Sequence, residues 1–531
     1  MRMLNLIPMP NHIEKIKGKL SFSNYQIVIE KKYEKAVLLL NQELEARLKI
    51  AENAFCYTFE FVFNKELEEE EYLIHMDQDL THIEGGSEKA FFYATRTLTQ
   101  ILKLKDNKQV SVLTAPAYYI EDKPRFAHRS LMLDEVRHFF GMEEVKKIIC
   151  VLSDLKINFF HWHLSDDQGF RIDFQTFPEL KNVASKRSKT KVNSQDNDEW
   201  DDNEYQKYYT YHEIKDILRF AKERYVEIIP EIDLPGHTSA IVAAYPFLHC
   251  RNEKHEVRGD FGVFKEIMCP GKDTTYEFTK KLMDELCKLF KDSRYIHIGG
   301  DEVNHENYQK CPDCQKKMKE FNLSSTNHLQ AHFSNEIAKY IMDTTNKSVI
   351  MWHDGIFENT DPRIILQYWD YKMDQERIQF INDGRPTIYS PCSQFYFNDP
   401  YGELPLIRSY NKGIHLTGLN RKAYKNIKGM ECCIWTEWID NPEMLEFNLN
   451  PRLFAFAEAS WTYTIHHDFS NFVERIEHMN SFYKYYHLTH APKKIYLAYG
   501  NSYRKNISNS YRGTQKEIEL DLSKKRKKME K

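Results

Sequence analysis

HRSLMLDEVRHFFGMEEVKKIICVLSDLKINFFHWHLSDDQGFR, His128 to Arg171, decides the fold. It opens on an apolar run, RSLMLD, that ends in polar residues. Val145, Ile148, Ile149, Leu152 and Leu155 follow at helical spacing, and the segment closes on a second apolar run, NFFHWHLS. Strand, amphipathic helix, strand is the unit of a parallel sheet. The pattern recurs in VEIIPEID, YIHIGG, SVIMWHD, IILQYWD, PTIYSP and MECCIWTE, and Ile214, Ile217, Leu218, Ala221 and Tyr225 mark a further helix. Eight such units predict an α/β fold, a (β/α)8 TIM barrel, whose reactive groups belong at the carboxyl ends of the strands.

Ahead of this region, residues 1–122 mix β-rich runs (YQIVIE, YTFEFVF, EYLIHM) with two helical stretches, EKAVLLLNQELEARL and EKAFFYATRTLTQIL, as a small α+β domain does. IEDKPRF reads as the linker, residues 123–485 as the barrel and 486–531 as a C-terminal extension. NPRLFAFAEASWTYT is the expected last barrel helix, after which periodicity is lost. The acidic run Glu68–Glu71 reads as a solvated loop or strand end, and the charged stretch Ser185–Tyr209 as a long loop on the active-site face. The tail KKRKK, Lys524–Lys528, reads as a solvated end, with a nuclear signal as the sharper alternative.

With 531 residues, a formal net charge of -4 and interspersed charges, no surface for nucleic acid is expected. No stretch is long and apolar enough to span a bilayer, and MRMLNLIPMP lacks the apolar core of a secretory signal, so the expectation is no membrane and a cytoplasmic address. The ten cysteines read as reduced buried thiols scattered singly, apart from Cys311-Pro-Asp-Cys314 and the neighbours Cys432 and Cys433. One CxxC is weak support for zinc, so no metal and no cofactor are expected. Nothing in the sequence sets an oligomeric state.

The strand ends bring forward Asp134 and Arg137; His161, His163 and Asp166; Asp233 and His237; Asp301 and Glu302; then Trp352, Trp369, Tyr396, Trp435 and Glu437. Five of the seven tryptophans, 162, 352, 369, 435 and 438, fall at or near these ends, too many for core filling alone. Indoles with carboxylates and an arginine suit a sugar ring, whose faces stack and whose hydroxyls bond charges. Asp301 and Glu302 are adjacent. In a strand they would point to opposite faces and could not flank one glycosidic bond as an ordinary acid and nucleophile do. Their roles should differ: Glu302 as general acid, with a pKa raised by desolvation, and Asp301 as holder of another group. Gly299 and Gly300 would let the backbone bend and a ligand approach. A 2-acetamido sugar, which brings its own nucleophile, fits such a pair.

HRSLMLDEVRHFF, NFFHWHLSDDQGFR, PEIDLPGHT, HIGGDEV, MWHDG and IWTEW resemble, in order, the motifs of glycoside hydrolase family 20, the β-N-acetylhexosaminidases. The resemblance spans about residues 1–485, its accessory domain included. It implies a metal-independent, retaining exo-enzyme acting on terminal GlcNAc or GalNAc of an amino-sugar glycan, through an oxazolinium ion. It implies that Glu302 is the acid and later the base, that Asp301 orients the acetamide, and that Tyr396 bonds its oxygen. Trp352, Trp369 and Trp435 would wall the pocket, Arg137 and Glu437 would grip hydroxyls, and Asp166 with His237 would tune Glu302. Asn398 stands where many members carry Asp, and Phe170 where Trp is common. Two rivals remain at this level. His161 and His163 resemble the HxH of a metal-dependent amidohydrolase, though on the second strand instead of the first. A catalytically dead sugar-binding protein would keep the tryptophans and lose the acid, yet Asp301, Glu302, Asp166 and His237 are all present.

Overall fold

The computed structural model describes residues 5–106, 108–193, 198–370, 375–410, 413–414, 416–497, 510–512, 514–516 and 524. Most of the KKRKK run lies outside them. Eight parallel strands close into a barrel in chain order: His128–Asp134, Phe159–His163, Glu227–Glu231, Tyr295–His297, Ser348–Trp352, Ile365–Tyr368, Thr387–Tyr389 and Ile427–Ile434. The last pairs back onto the first from Gly429 opposite His128 to Ile434 opposite Leu133. All eight expected strands are present; the first ends with its run at Asp134 and the other seven end two or three residues before theirs, so those polar ends lie in loops. These strands are buried on both faces, which is why they read as continuous apolar runs instead of alternating ones. The helix Met142–Asp154 buries Val145, Ile148, Ile149 and Leu152 on the barrel, as its spacing requires. The helix Tyr211–Lys222 starts at a capping box in which Thr210 Oγ1 accepts from the Glu213 N–H at 3.2 Å and Glu213 Oε2 accepts from the Thr210 N–H at 2.8 Å.

The N-terminal domain is a six-stranded sheet covered by the helices Leu38–Arg47 and Glu88–Ile101. Its strands alternate buried and exposed positions. His12–Phe22, Leu80–Gly85 and Leu113–Asp122 are strands that the sequence reading passed over. IEDKPRF is not a free linker: its Asp122 is buried and accepts from Tyr72 Oη, from Lys156 Nζ at 3.1 Å and from Trp461 Nε1 at 3.0 Å. Trp461, on the last barrel helix Arg452–Trp461, sits in the core of the N-terminal sheet and bolts the two domains together. The acidic run is likewise only partly solvated. Glu70 is half-buried, paired with Arg129 at 2.9 Å and with Lys89. Beyond Trp461 the chain forms three short helices, Phe469–Ile476, Asn480–Tyr485 and Lys493–Tyr496, which bury Phe472, Phe482 and Tyr496 on the barrel core. The described part of Ser185–Tyr209 folds against the barrel mouth: the pair of short strands Lys186–Arg187 and Tyr205–Gln206 carries buried Arg187, whose Nη2 donates to the Arg137 carbonyl at 2.7 Å.

Candidate active site

Inside the barrel, His161 and His163, two apart on one strand, face inward with Glu231, His297 and Glu431 from neighbouring strands. Glu231 accepts from Trp352 Nε1 at 2.9 Å and is hydrogen-bonded to His163 Nδ1, and its oxygens lie 3.0 Å from His161 Nε2 and 2.9 Å from His297 Nδ1. His161 Nδ1 reaches Glu431 Oε1 at 2.8 Å. Burial disfavours charge on His163, yet Glu231 and Asp166 overcome it and lift its pKa to about 10. Burial is overcome in the same way at His161, held up to about 9 by Glu431 and Glu231. Both rings therefore serve as buried cations among carboxylates.

From this core a chain of hydrogen bonds runs outward. His163 Nε2 meets Asp166 Oδ2 at 2.9 Å, and Asp166 Oδ1 meets His237 Nδ1 at 3.1 Å, with Asp167 Oδ2 on the same nitrogen at 3.0 Å. The other face of His237 meets the adjacent acids, with Nε2 3.5 Å from Glu302 Oε2 and 3.8 Å from Asp301 Oδ2. Both carboxylates thus converge on one imidazole, which corrects the expectation of opposite faces. The strand stops at His297, and Gly299, Gly300 and Glu302 take φ of +61°, +102° and +49°, so strand alternation does not apply. The close approach at Gly299 is made by Asp233 and not by a ligand: a Cβ there would lie 1.7 Å from Asp233 Oδ1, which also accepts from the Gly300 N–H at 3.0 Å.

The charges of the pair also differ from expectation. Glu302 is held below the usual carboxylate range by its hydrogen bond to the His237 cation, and its side chain is 41% exposed. Asp301 is pushed well above that range by burial and by Asp233, with Asp354 and Glu302 adding to it, and its Oδ1 is buried without a hydrogen-bond partner. In the ligand-free site the proton therefore favours Asp301. Asp354, which the sequence reading left aside in MWHDG, fixes the pair. Its Oδ2 accepts from the Glu302 N–H at 2.8 Å and its Oδ1 from Trp369 Nε1 at 2.9 Å. Its position two residues past Trp352, at a strand end, was the available signal.

Trp352, Trp369, Tyr396 and Trp435 form one aromatic cluster with Met132 and Cys433. Trp369 and Tyr396 lie nearly parallel at 6.3 Å and 18°, and Trp435 stands 5.9 Å from Trp352. Trp162 is not among them: it is fully buried on the outer side of its strand against Phe160, Tyr209 and Phe290, because it alternates with the inward His161 and His163. Trp438 packs edge-on to Phe261 at 5.1 Å. Arg137 lies over Trp435 at 5.1 Å, held by Asp166 at 2.7 Å, Asp134 at 3.3 Å and Gln168 at 3.0 Å. Asp134 Oδ2 also accepts from the Thr436 N–H at 3.1 Å, tying Arg137 to the loop of Trp435 and Glu437. Burial pushes Glu437 above the usual range against the pull of Arg137. Asn398 Oδ1 is buried without a partner. Phe170, in the place of the more common Trp, is core, packed on Phe174.

Among the described residues, ligand-type atoms converge within 4.8 Å in four groups: Cys250, Cys269, Cys311 and Cys314; His161, Glu231 and His297; Asp166, Asp167 and His237; and Asp233, His237 and Asp301. In the three mixed groups, histidine nitrogens are engaged by carboxylates of the same network. The cysteine group corrects the expectation of scattered thiols: four of the ten meet at one point.

A closed parallel barrel whose carboxyl ends gather paired acids under a cage of indoles defines a (β/α)8 glycoside hydrolase. The model of the glycosyl hydrolase family 20 catalytic domain matches residues 126–464, and that of domain 2 of the same family matches residues 3–123. The chain belongs to glycosyl hydrolase family 20. A beta-hexosaminidase of Porphyromonas gingivalis is 32% identical over 77% of this chain, which spans 53% of that relative's length. A beta-hexosaminidase of Vibrio furnissii is 29% identical over 86% of this chain and 76% of its own. The exo beta-N-acetylglucosaminidase of Vibrio harveyi, solved with N-acetylglucosamine, superposes with a TM-score of 0.79 at 27% identity, over 92% of this chain and 78% of that one.

Proposed function

We propose that this chain is a β-N-acetylhexosaminidase that removes terminal β-linked GlcNAc or GalNAc with retention, using the substrate's acetamide as nucleophile. The observation that carries this reading is the convergence of Asp301 and Glu302 on His237 beside the aromatic cluster. Two acids this close to one imidazole suit divided work at one sugar better than attack from opposite faces. Exo action is carried over from the Vibrio harveyi protein, an exo beta-N-acetylglucosaminidase.

Glu302 protonates the glycosidic oxygen while the acetamide oxygen attacks C1 and expels the leaving group, which gives an oxazolinium ion. Asp301 accepts the amide N–H and balances the positive charge, and Tyr396 donates its hydroxyl to the acetamide oxygen. Glu302 then takes a proton from water as the water adds to C1 and reopens the ring; two inversions give net retention. Trp352, Trp369 and Trp435 wall the ring and acetamide, and Arg137, Glu437 and Asn398 bind hydroxyls. In this scheme the substrate sets the protonation. The amide N–H favours ionised Asp301, while the sugar shields Glu302 from water and favours its acid form.

The test is turnover of 4-nitrophenyl β-glycosides of GlcNAc, GalNAc and glucose, with and without a thiazoline mimic of the oxazoline. Cleavage of both acetamido sugars, none of glucose, and strong thiazoline inhibition are expected. Glucose cleavage unaffected by thiazoline would reject the acetamide nucleophile.

A further inference from the structure

We propose that Cys250, Cys269, Cys311 and Cys314 form a closed tetrathiolate site for one zinc ion, a staple beneath the loop that carries Glu302. Cys269 Sγ lies 3.7 Å from Cys311 Sγ and 3.5 Å from Cys314 Sγ, and all four sulfurs fall within 4.8 Å of one another. Four thiolates placed tetrahedrally at about 2.3 Å from zinc stand about 3.8 Å apart, whereas a disulfide needs about 2.05 Å. The observed spacing matches the first arrangement. Sulfurs this close enclose a single ion and leave no room for an iron–sulfur cluster.

The backbone is built around the sulfurs. The antiparallel bridge between His249 and Met268 places Cys250 and Cys269 diagonally across it, and the Cys269 N–H donates to the Leu248 carbonyl at 2.7 Å. Gly271, in the Cys-Pro-Gly turn, is pressed on the Cys311-Pro-Asp-Cys314 turn so closely that a Cβ would lie 2.3 Å from the Cys314 nitrogen. Tyr308 locks the two turns by donating to the Met268 carbonyl at 2.8 Å. Cys311 is the N-cap of the helix Pro312–Glu320 and Cys314 lies in its first turn, where the helix dipole favours thiolates. Cys269, Cys311 and Cys314 are buried and Cys250 is half-buried, so three of the four sulfurs are shielded from water as in a structural site.

Loading zinc displaces the four thiol protons to solvent and leaves a complex of net charge -2. Val303, next to Glu302, packs on this cluster, so the ion ties the segment after the paired acids to the loop after the third barrel strand. That loop reaches the barrel mouth itself: the Asp260 carbonyl accepts from Gln168 Nε2 at 2.8 Å. The inference does not depend on which glycoside is cleaved.

The full chain, purified without added metal, should carry about one zinc per molecule. A mercurial that blocks thiols should release that zinc to a chromogenic chelator, and these four cysteines should become open to alkylation only once the zinc is removed. Cobalt exchanged into the site should give the thiolate charge-transfer and intense visible bands of a tetrahedral sulfur site. Cys250→Ser and Cys311→Ser should lose at least about nine-tenths of the metal and melt several degrees lower, while Cys56→Ser, outside the cluster, should keep both. If the variants fail to fold, the metal content and cobalt spectrum of the unaltered chain decide. A metal-free chain with ten free thiols, a chain with disulfides among these four, or stoichiometric iron in place of zinc would each overturn the assignment.

Discussion

Replacing Asp166 with Asn tests the relay most directly. One carboxylate there faces four donors: His163 Nε2 at 2.9 Å, His237 Nδ1 at 3.1 Å, Arg137 Nη2 at 2.7 Å and the Asp167 N–H at 2.6 Å. An amide offers one acceptor oxygen and turns two N–H groups toward cations. Removing one partner of a buried charge network costs about 3–5 kcal/mol. Part is recovered, since His163 and His237 can shed protons and Asp167 still holds His237 at 3.0 Å. A net loss of about 3 kcal/mol is expected, which in a chain of this size lowers Tm by roughly 3 °C.

The catalytic effect should be larger. Asp166 keeps His237 protonated and the cation holds Glu302 down, so without it Glu302 rises toward its ordinary value. Glu302 must be protonated to act, so the alkaline limb of kcat/KM should move to higher pH, while loss of positioning lowers kcat/KM by roughly 10²-fold. The assay is kcat/KM on 4-nitrophenyl β-GlcNAc across both limbs, with Tm on the same samples. A value within about threefold of the parent, with the limb unmoved, would refute the relay, since good acid–base positioning is worth at least about 10²-fold. A loss of rate with an unshifted limb would mean that Asp166 is structural only.

Glu302→Gln should lower turnover by roughly 10²–10⁴-fold while sugar binding persists, and unchanged turnover would reject its role as acid. Asp301→Asn should lose turnover by roughly 10²-fold or more, although Asp301 protonates no leaving group; near-normal turnover would undo the substrate-assisted scheme. Because His163 and His161 are raised to about 10 and about 9, their contribution is complete below the unfolded value of about 6.5 and is lost as pH rises through the folded values. Tm should therefore fall between about pH 7 and 10, and Glu231→Gln should flatten that slope; a slope unchanged in the variant would place its source elsewhere. Trp461→Ala removes a fully buried indole and one of the donors to Asp122, at a cost of about 3–5 kcal/mol, whereas Trp461→Phe keeps an aromatic ring and should cost about 1–3 kcal/mol. Chemical denaturation separates the two, and equal losses would show that the N–H to Asp122, and not the packing, sets the cost.

The sequence by itself determined the barrel and which polar residues stand at its strand ends, because both are written in local terms. Strand and helix periods repeat within a dozen or so residues, and a strand end is marked where apolar residues give way to Asp134, Asp233, Asp301 or Trp435. Side-chain direction and long-range company were decided only in three dimensions. Trp162 and His163 are neighbours in sequence, yet the pleat sends one outward to the helices and the other into the barrel. Asp301 and Glu302 share His237 because left-handed turns at Gly299, Gly300 and Glu302 cancel the alternation that a strand would impose. The direction of the Glu302 shift depends on a cation supplied from two other strand ends. Cys269 meets Cys311 and Cys314 across separations of 42 and 45 positions, distances over which no periodicity carries information and only packing selects partners.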